Sequence, residues 1–174
     1  MTLFSEKRYR MSLVGFRARN HPQQVLFHGA RRDVDERATP VELFAVLHKR
    51  FRFTVDAAAL PYNRKLDRFW SPEDDGLAQD WTGERIWCNP PFSEIPPWVQ
   101  KAAESLADLV VMLVPANRTE QAWWQEYVEP HRDRGGRLRV EFLRGRLPFG
   151  IGSAPAPPNS RPPFGCALLI WGSA

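Results

Sequence analysis

Only two cysteines stand among the 174 residues, Cys88 and Cys166, and both fall in apolar runs. They form no CxxC pair, and His21, His28, His48 and His131 are scattered, so no thiolate or imidazole metal site is indicated. Buried thiols are expected rather than a disulfide framework, and with them a cytoplasmic setting. No apolar run approaches the ~18 residues that a bilayer-spanning helix requires, and the first residues lack the apolar centre of a signal peptide. No membrane association is expected. Glycine is missing where a nucleotide-binding turn would use it: after the strand-like Phe51 to Asp56 none occurs until Gly76. Acids are scarce at both ends. Residues 1–32 carry seven Lys/Arg against one acid, and residues 130–164 seven Arg against two.

The acids are gathered between those ends, with seventeen against ten basic residues over 33–129. Basic flanks attract a polyanion such as DNA, and an acidic centre suits a cationic small molecule. Each cluster taken alone is equally an ordinary solvated face. The length fits one domain, and no internal repeat is present.

The chain alternates strand and helix signals. Residues 1–32 form a basic arm of uncertain order, with a short strand expected from Met11 to Phe16. Thr39 suits a helix N-cap and Pro40 the first helical position. Val41, Leu43, Phe44, Val46, Leu47 and Phe51 then recur at helical spacing, predicting a helix to about Arg50. Phe51 to Asp56 reads as the first sheet strand, with an acid at its carboxyl end and the small residues Ala57, Ala58 and Ala59 as a tight turn. A short helix is expected over Asn63 to Trp70, and a turn at Glu73 to Leu77. Ile86-Trp87-Cys88 reads as a buried strand. A helix follows from about Pro97 to Ala107, with Trp98, Val99, Ala102 and Leu106 inward. Leu109 to Val114 is an uninterrupted apolar run, as in a strand covered on both faces. Thr119 caps a helix from Glu120 to Val128, Arg137 to Leu143 alternates as a strand, and Phe164 to Trp171 forms the last strand. Arg144 to Pro163 is a Pro/Gly-rich loop, long enough to suggest a function of its own. Seven tryptophans are read as packing, with Trp81 the exception most worth following. The expected fold is α/β: a three-layer, Rossmann-like, mostly parallel sheet with an antiparallel final strand.

The Ile86 strand runs straight into Asn89-Pro90-Pro91-Phe92. Two prolines have no N–H to give a sheet or a helix, and the first holds Asn89 extended. The chain must leave the sheet there in a rigid turn, with one amide and one aromatic ring at the strand end where α/β sheets bind ligands. Asn89-Pro90-Pro91-Phe92 resembles the catalytic motif of S-adenosylmethionine-dependent amino-methyltransferases. The ordered set Thr39-Pro40, Phe53 to Ala59, Glu73 to Trp81 and Trp87 to Phe92 narrows this. Together these stretches resemble the phage-type DNA N6-adenine methyltransferase family over roughly residues 33 to 171.

That resemblance implies transfer of a methyl group from S-adenosylmethionine to adenine N6 in DNA, on a base flipped out of the duplex. The methyltransferase domain is expected over 33–174, and because arginine can read guanine by paired bonds to O6 and N7, the 144–163 loop is the candidate target-recognition element. The side-chain oxygen of Asn89 and the carbonyl of Pro90 would accept the two N6 hydrogens, Pro91 would stiffen the turn, and Phe92 would stack on the base. Thr39 and Pro40 would lie against the methionine end of the cofactor, and Asp56 with Ala57 would take its amino group. Asp80, ranked ahead of Asp75, and Trp81 would flank its ribose and adenine. Asp74 and Asp75 equally suit a solvated turn. A tryptophan often precedes Thr-Pro in the family, where this chain has Glu36-Arg37-Ala38. Arg118, at the ligand-binding edge, is a substrate-binding candidate, and phosphate contacts are assigned to Arg144, Arg146 and Arg161 and to the Arg132 to Arg139 cluster, although many of these arginines also suit a plain surface. A monomer acting on DNA is expected. The same chemistry on RNA adenine or a protein glutamine, or a non-catalytic DNA-binding relative, remain open readings.

Overall fold

In the computed structural model, residues 35, 37–151, 154–156 and 161–172 are described. The basic arm and its expected strand at Met11 to Phe16 lie outside them. In chain order the elements are β1 (Arg37–Ala38), α1 (Val41–Phe51), β2 (Val55–Asp56), β3 (Arg85–Cys88), α2 (Ile95–Glu104), β4 (Leu109–Pro115), α3 (Ala122–Tyr127), β5 (Leu138–Phe142), β6 (Gly150–Ile151) and β7 (Cys166–Gly172).

Five strands form one sheet in the order β2-β3-β4-β7-β5, and β1 pairs antiparallel with β6 in a small separate ribbon. β2, β3 and β4 are parallel, while β7 runs antiparallel to both β4 and β5. The sheet is thus mixed and mostly parallel, with the last strand reversed. Every residue of β4 is buried, so both faces of the sheet are covered at its centre. Trp87 of β3 packs edge-on against Phe44 of α1, with ring centroids 5.7 Å apart.

Several elements differ from their expected bounds. Pro40, not Thr39, is the N-cap of α1, and no side chain caps that end. Only Phe44, Leu47 and Phe51 of α1 are buried; Val41 and Val46 face solvent. Phe51 closes the helix rather than opening a strand. Its ring follows Phe44 and Leu47 on the buried face, and Arg52 turns into the left-handed region at φ 52° with its N–H on the His48 carbonyl at 2.8 Å. β2 is therefore only two residues long. α2 begins and ends earlier than expected, at Ile95 and Glu104, leaving Leu106 outside it and exposed. α3 is shorter than its apolar pattern, with Gln121 as N-cap in place of Thr119. The 144–163 stretch is not all loop, since it contains β6.

The expected helix over Asn63 to Trp70 does not form. Its backbone bonds instead to the end of β2: Asp56 N–H donates to Arg68 O at 3.1 Å, Trp70 N–H to Asp56 O at 2.9 Å, and Ala59 N–H to Trp70 O at 3.1 Å. Phe69 thus lies parallel beside Asp56. The short strand β2 gains a neighbour this way, which satisfies backbone groups that a helix would leave open. Both cysteines are buried and free, and burial pushes the Cys166 thiol up to about 12. Among the described residues no helix is long and apolar enough to cross a membrane.

Candidate active site

β2 and β3 deliver Asp56 and Asn89 to the same sheet edge. Asp56 pairs with Trp87 in register, and Ala57 N–H continues the ladder to Trp87 O at 2.8 Å. Between these ends opens a cavity of about 440 Å³ lined by Ala57 to Leu60, Trp70, Asp75, Gly76, Asn89, Pro91 and Trp98, among others. That size lies within the usual range for small-molecule sites. Its walls are mostly apolar, with the carboxylates of Asp35, Asp75 and Glu94 at its margin. A crevice of about 20 Å³ adjoins it through Asp35, Ala58, Asn63 and Asn89, and adds Thr39, Asp56 and Lys65.

Asn89 holds one orientation. Its Nδ2 donates to the Arg37 carbonyl at 2.7 Å. A carbonyl only accepts, so the amide nitrogen must face it and Oδ1 must point away. That Oδ1 is buried and has no hydrogen-bond partner among the described residues. Buried polar atoms are normally paired, so this unpartnered acceptor, on a residue that lines the cavity, stands out as a candidate for a hydrogen-bond donor. The prolines supply the rigidity: after Pro90 and Pro91, a tight turn closes with Glu94 N–H on Pro91 O at 3.0 Å, and α2 starts at once.

Asp56 is 2 % exposed. Its Oδ2 accepts from the Lys65 amide at 2.9 Å, and the Ala58 amide also donates to it. Burial pushes its pKa up to about 6 against these stabilising bonds. The carboxylate thus ties the turn that lines the cavity at both of its ends. Lys65, whose pKa is lowered by burial, is the nearest opposing charge.

A pH dependence follows. The folded pKa of Asp56 lies above its ordinary value. Its contribution to stability is therefore complete below pH 3.8 and is lost as pH rises through about 6. Ligand affinity should move the other way, because the charged carboxylate orders the turn: binding in the cavity is expected to weaken as pH falls through about 6. Titration calorimetry from pH 5 to 8 with S-adenosylmethionine, the ligand that the resemblance implies, checks this. Asp56→Asn should flatten the profile, and an unchanged profile in that variant would remove Asp56 from the account.

The remaining expected residues divide. Ala57 and Asp75 line the cavity, and Asp75 holds φ at 50° while its Oδ1 accepts from Leu77 N–H at 3.2 Å. Asp80 lies outside it. Its exposed carboxylate caps Thr82 N–H at 2.9 Å, which lowers its pKa. Trp81 is 1 % exposed and supports the cavity from behind: its Nε1 donates to Gly76 O at 2.9 Å and its ring stacks on Trp70. Thr39 is buried at the crevice, and Pro40 lines an outer groove with Tyr62 and Arg64. Arg118 is half-buried and donates from Nη1 to Phe92 O at 3.0 Å.

The arginines separate by edge. Arg144, Arg146 and Arg161 are exposed and flank the carboxyl end of β5 and the start of β7, the edge that also carries Asn89. The Arg132 to Arg139 cluster does not join them. Leu138 pairs with Trp171, which pairs with Val110 at the amino end of β4, so most of that cluster lies at the opposite edge. There Arg132 is paired with Glu129 and Arg139 with Glu141. A larger open depression of about 710 Å³ at that edge carries Arg85, Asp108 and Arg137 and none of the motif residues.

Sequence reasoning missed Trp70, Asn63, Trp98 and Gly76 as cavity residues. Gly76 had a readable signal, as the first glycine after β2. A Cβ there would stand 2.2 Å from Ala57 O and 3.0 Å from the Trp98 ring.

Comparisons with known proteins point the same way. The chain is 31% identical over 122 residues to a DNA N-6-adenine-methyltransferase of Haemophilus phage HP1, covering 67% of each chain. It is 34% identical over 93 residues to a DNA N-6-adenine-methyltransferase of Escherichia phage T1, covering 51% of this chain and 39% of that one. The family model described as DNA N-6-adenine-methyltransferase (Dam) matches residues 28–171. The chain belongs to the DNA N-6-adenine-methyltransferase family.

Proposed function

We propose that the protein methylates the exocyclic N6 of adenine in DNA, with S-adenosylmethionine as methyl donor, on a Rossmann-like methyltransferase fold. The observation that carries this reading is the buried, unpartnered Oδ1 of Asn89, held by the bond from Nδ2 to Arg37 O. Adenine N6 is a poor nucleophile because its lone pair is shared with the ring. An acceptor at Asn89 Oδ1 and a second at the Pro90 carbonyl draw its two hydrogens and localise that lone pair. As the nitrogen gains positive charge both acceptors bind it more strongly, which stabilises the transition state without a general base.

The cavity beside Asn89 fits the donor. Its volume, the small Ala57–Ala59 turn, the ring walls of Trp70 and Trp98 and the carboxylates of Asp35, Asp75 and Glu94 suit a nucleoside joined to a cationic amino acid. Bound there, S-adenosylmethionine would supply an electrophilic methyl group. Asp75 is the residue best situated for ribose hydroxyls, because it lines the cavity and Asp80 does not. Asp56 acts by ordering the turn.

Incubation with methyl-labelled S-adenosylmethionine and unmethylated DNA, followed by digestion and mass spectrometry, tests the reading. N6-methyladenine is the expected product. Label confined to RNA, to protein glutamine or to cytosine would overturn it. The charge arrangement makes a second prediction. Replacing Arg144, Arg146 and Arg161 together by alanine should weaken DNA binding and make its salt dependence shallower, by about 0.9 in log–log slope for each phosphate no longer neutralised. Replacing Arg132, Arg134 and Arg139 should leave the slope unchanged. Fluorescence titration at several salt concentrations measures both.

A further inference from the structure

Phe92 is expected to stack on the target base, yet only 2 % of it is exposed. Phe149 and Phe164 meet it edge-on, with ring centroids at 5.8 and 6.1 Å. Into the space between the three rings projects the guanidinium of Arg37, its central carbon 5.8 Å from the Phe92 centroid, 5.9 Å from Phe149 and 5.0 Å from Phe164. The pairing of β1 with β6 brings Arg37 to Phe149, which directly precedes β6. A flat, delocalised group therefore occupies an aromatic cage beside the methyl-acceptor motif.

The rings attract the guanidinium charge, but they do not satisfy its donors. Its Nη1 is buried and has no partner among the described residues, and an unmet donor in a low-dielectric site is costly. Burial lowers the pKa of Arg37, with Cys166 and Asp35 opposing that shift and Arg118 nearby adding to it. Asp35 itself is held by the Ser93 amide and hydroxyl at 2.9 and 2.7 Å. The backbone of Arg37 is bonded to Asn89 independently of its side chain, which is held by the rings and by Asp35 but leaves one donor unmet.

We propose that the cage of Phe92, Phe149 and Phe164 is the seat of the extruded adenine, and that the Arg37 side chain fills it in the free protein and withdraws to a DNA phosphate when the base enters. The inference rests on the function proposed above. Withdrawal of the Arg37 side chain would uncover the part of the Phe92 ring that it faces and leave Asn89 Oδ1 in place for N6. The departing guanidinium exchanges an unmet donor for charge-assisted bonds to phosphate. That gain offsets part of the cost of unstacking the base. Arg37 is thus a placeholder whose exit is coupled to DNA contact.

Side chains of different kinds at position 37 test this in the full chain. Arg37→Met has similar length and no charge or donor. It should settle in the cage and lower kcat on unmethylated DNA at least tenfold. Arg37→Lys keeps a cation that is drawn to phosphate and should stay within threefold of wild type. Arg37→Ala leaves the cage empty. It should keep kcat on heat-denatured DNA within threefold while KM for DNA rises. Calorimetric affinity for S-adenosylmethionine should be unchanged in all three, as the test of folding. Equal losses in Met and Lys, or an unimpaired Met variant, would overturn the placeholder. If Arg37→Ala loses cofactor binding through misfolding, the Met–Lys pair still decides. A wild-type protein that binds the cofactor but methylates no adenine in DNA would instead overturn the functional reading, and the placeholder with it.

Discussion

Asn89→Ala is expected to lower kcat by about 10²–10³, the loss typical of removing one preorganised polar stabiliser and equivalent to roughly 3–4 kcal/mol of barrier. The cause is the unpartnered Oδ1. An acceptor already aimed and already desolvated costs nothing to arrange when charge develops on N6, and alanine has no replacement for it. Cofactor affinity should change little, because the cavity keeps its other walls. Asn89→Asp separates the two ends of the amide. It keeps an acceptor toward the substrate but sets a carboxylate oxygen against the Arg37 carbonyl, now 2.7 Å from Nδ2. Its turnover should fall between wild type and the alanine variant. Single-turnover methylation with separate calorimetry of cofactor binding measures both quantities. Asn89→Ala with near-normal kcat and lost cofactor affinity would mean that Asn89 is a binding residue and that another group activates N6.

The parts of this site that could be read from sequence are those set by covalent constraint. Two prolines after a short apolar strand leave the chain few ways out of the sheet, so the location of Asn89 followed from its neighbours. The apolar run Leu109 to Val114 within β4 is similarly unambiguous, because only a doubly covered strand buries every residue. Misreadings arose where two local patterns compete and tertiary contacts choose. Phe51-Arg52-Phe53 alternates like a strand, but Phe51 also continues the buried Phe44–Leu47 face, and the helix ends on it with Arg52 in the left-handed region. Asn63 to Trp70 carries apolar residues at helical spacing, yet the open edge of β2 needs hydrogen-bond partners and captures the segment. The Arg132 to Arg139 cluster is close in sequence to Arg144 and Arg146. β5 separates them across the sheet, and no local pattern announces which way a strand points. The resemblance ranked Asp80 ahead of Asp75 for the ribose, and in the structure the Asp80 carboxylate bonds within its own turn.

Gly76→Ala is expected to damage both stability and cofactor binding, through one contact. The glycine turn lies against the backbone at Ala57, and a Cβ would stand 2.2 Å from Ala57 O, where no real contact is tolerated. Ala57 cannot yield, because it is fully buried and its N–H is bonded to Trp87 O at 2.8 Å, inside the sheet ladder. Trp98 blocks the other side at 3.0 Å. The turn carrying Asp75 and Gly76 must therefore move outward, losing the bond from Trp81 Nε1 to Gly76 O. Overpacking of this kind costs about 1–3 kcal/mol. For a chain of this length that is a fall in Tm of roughly 3–10 °C. The same movement carries the Asp75 carboxylate away from the cavity. Cofactor affinity should fall at least about tenfold, which corresponds to 1.4 kcal/mol. Gly83, at φ 71° with open space around its α-carbon, provides the contrast. Alanine there strains the backbone but should leave cofactor affinity untouched. Thermal unfolding with calorimetry on both variants distinguishes a wall of the site from a turn glycine, and Gly76→Ala with wild-type affinity would show that the turn plays no part in holding the ligand.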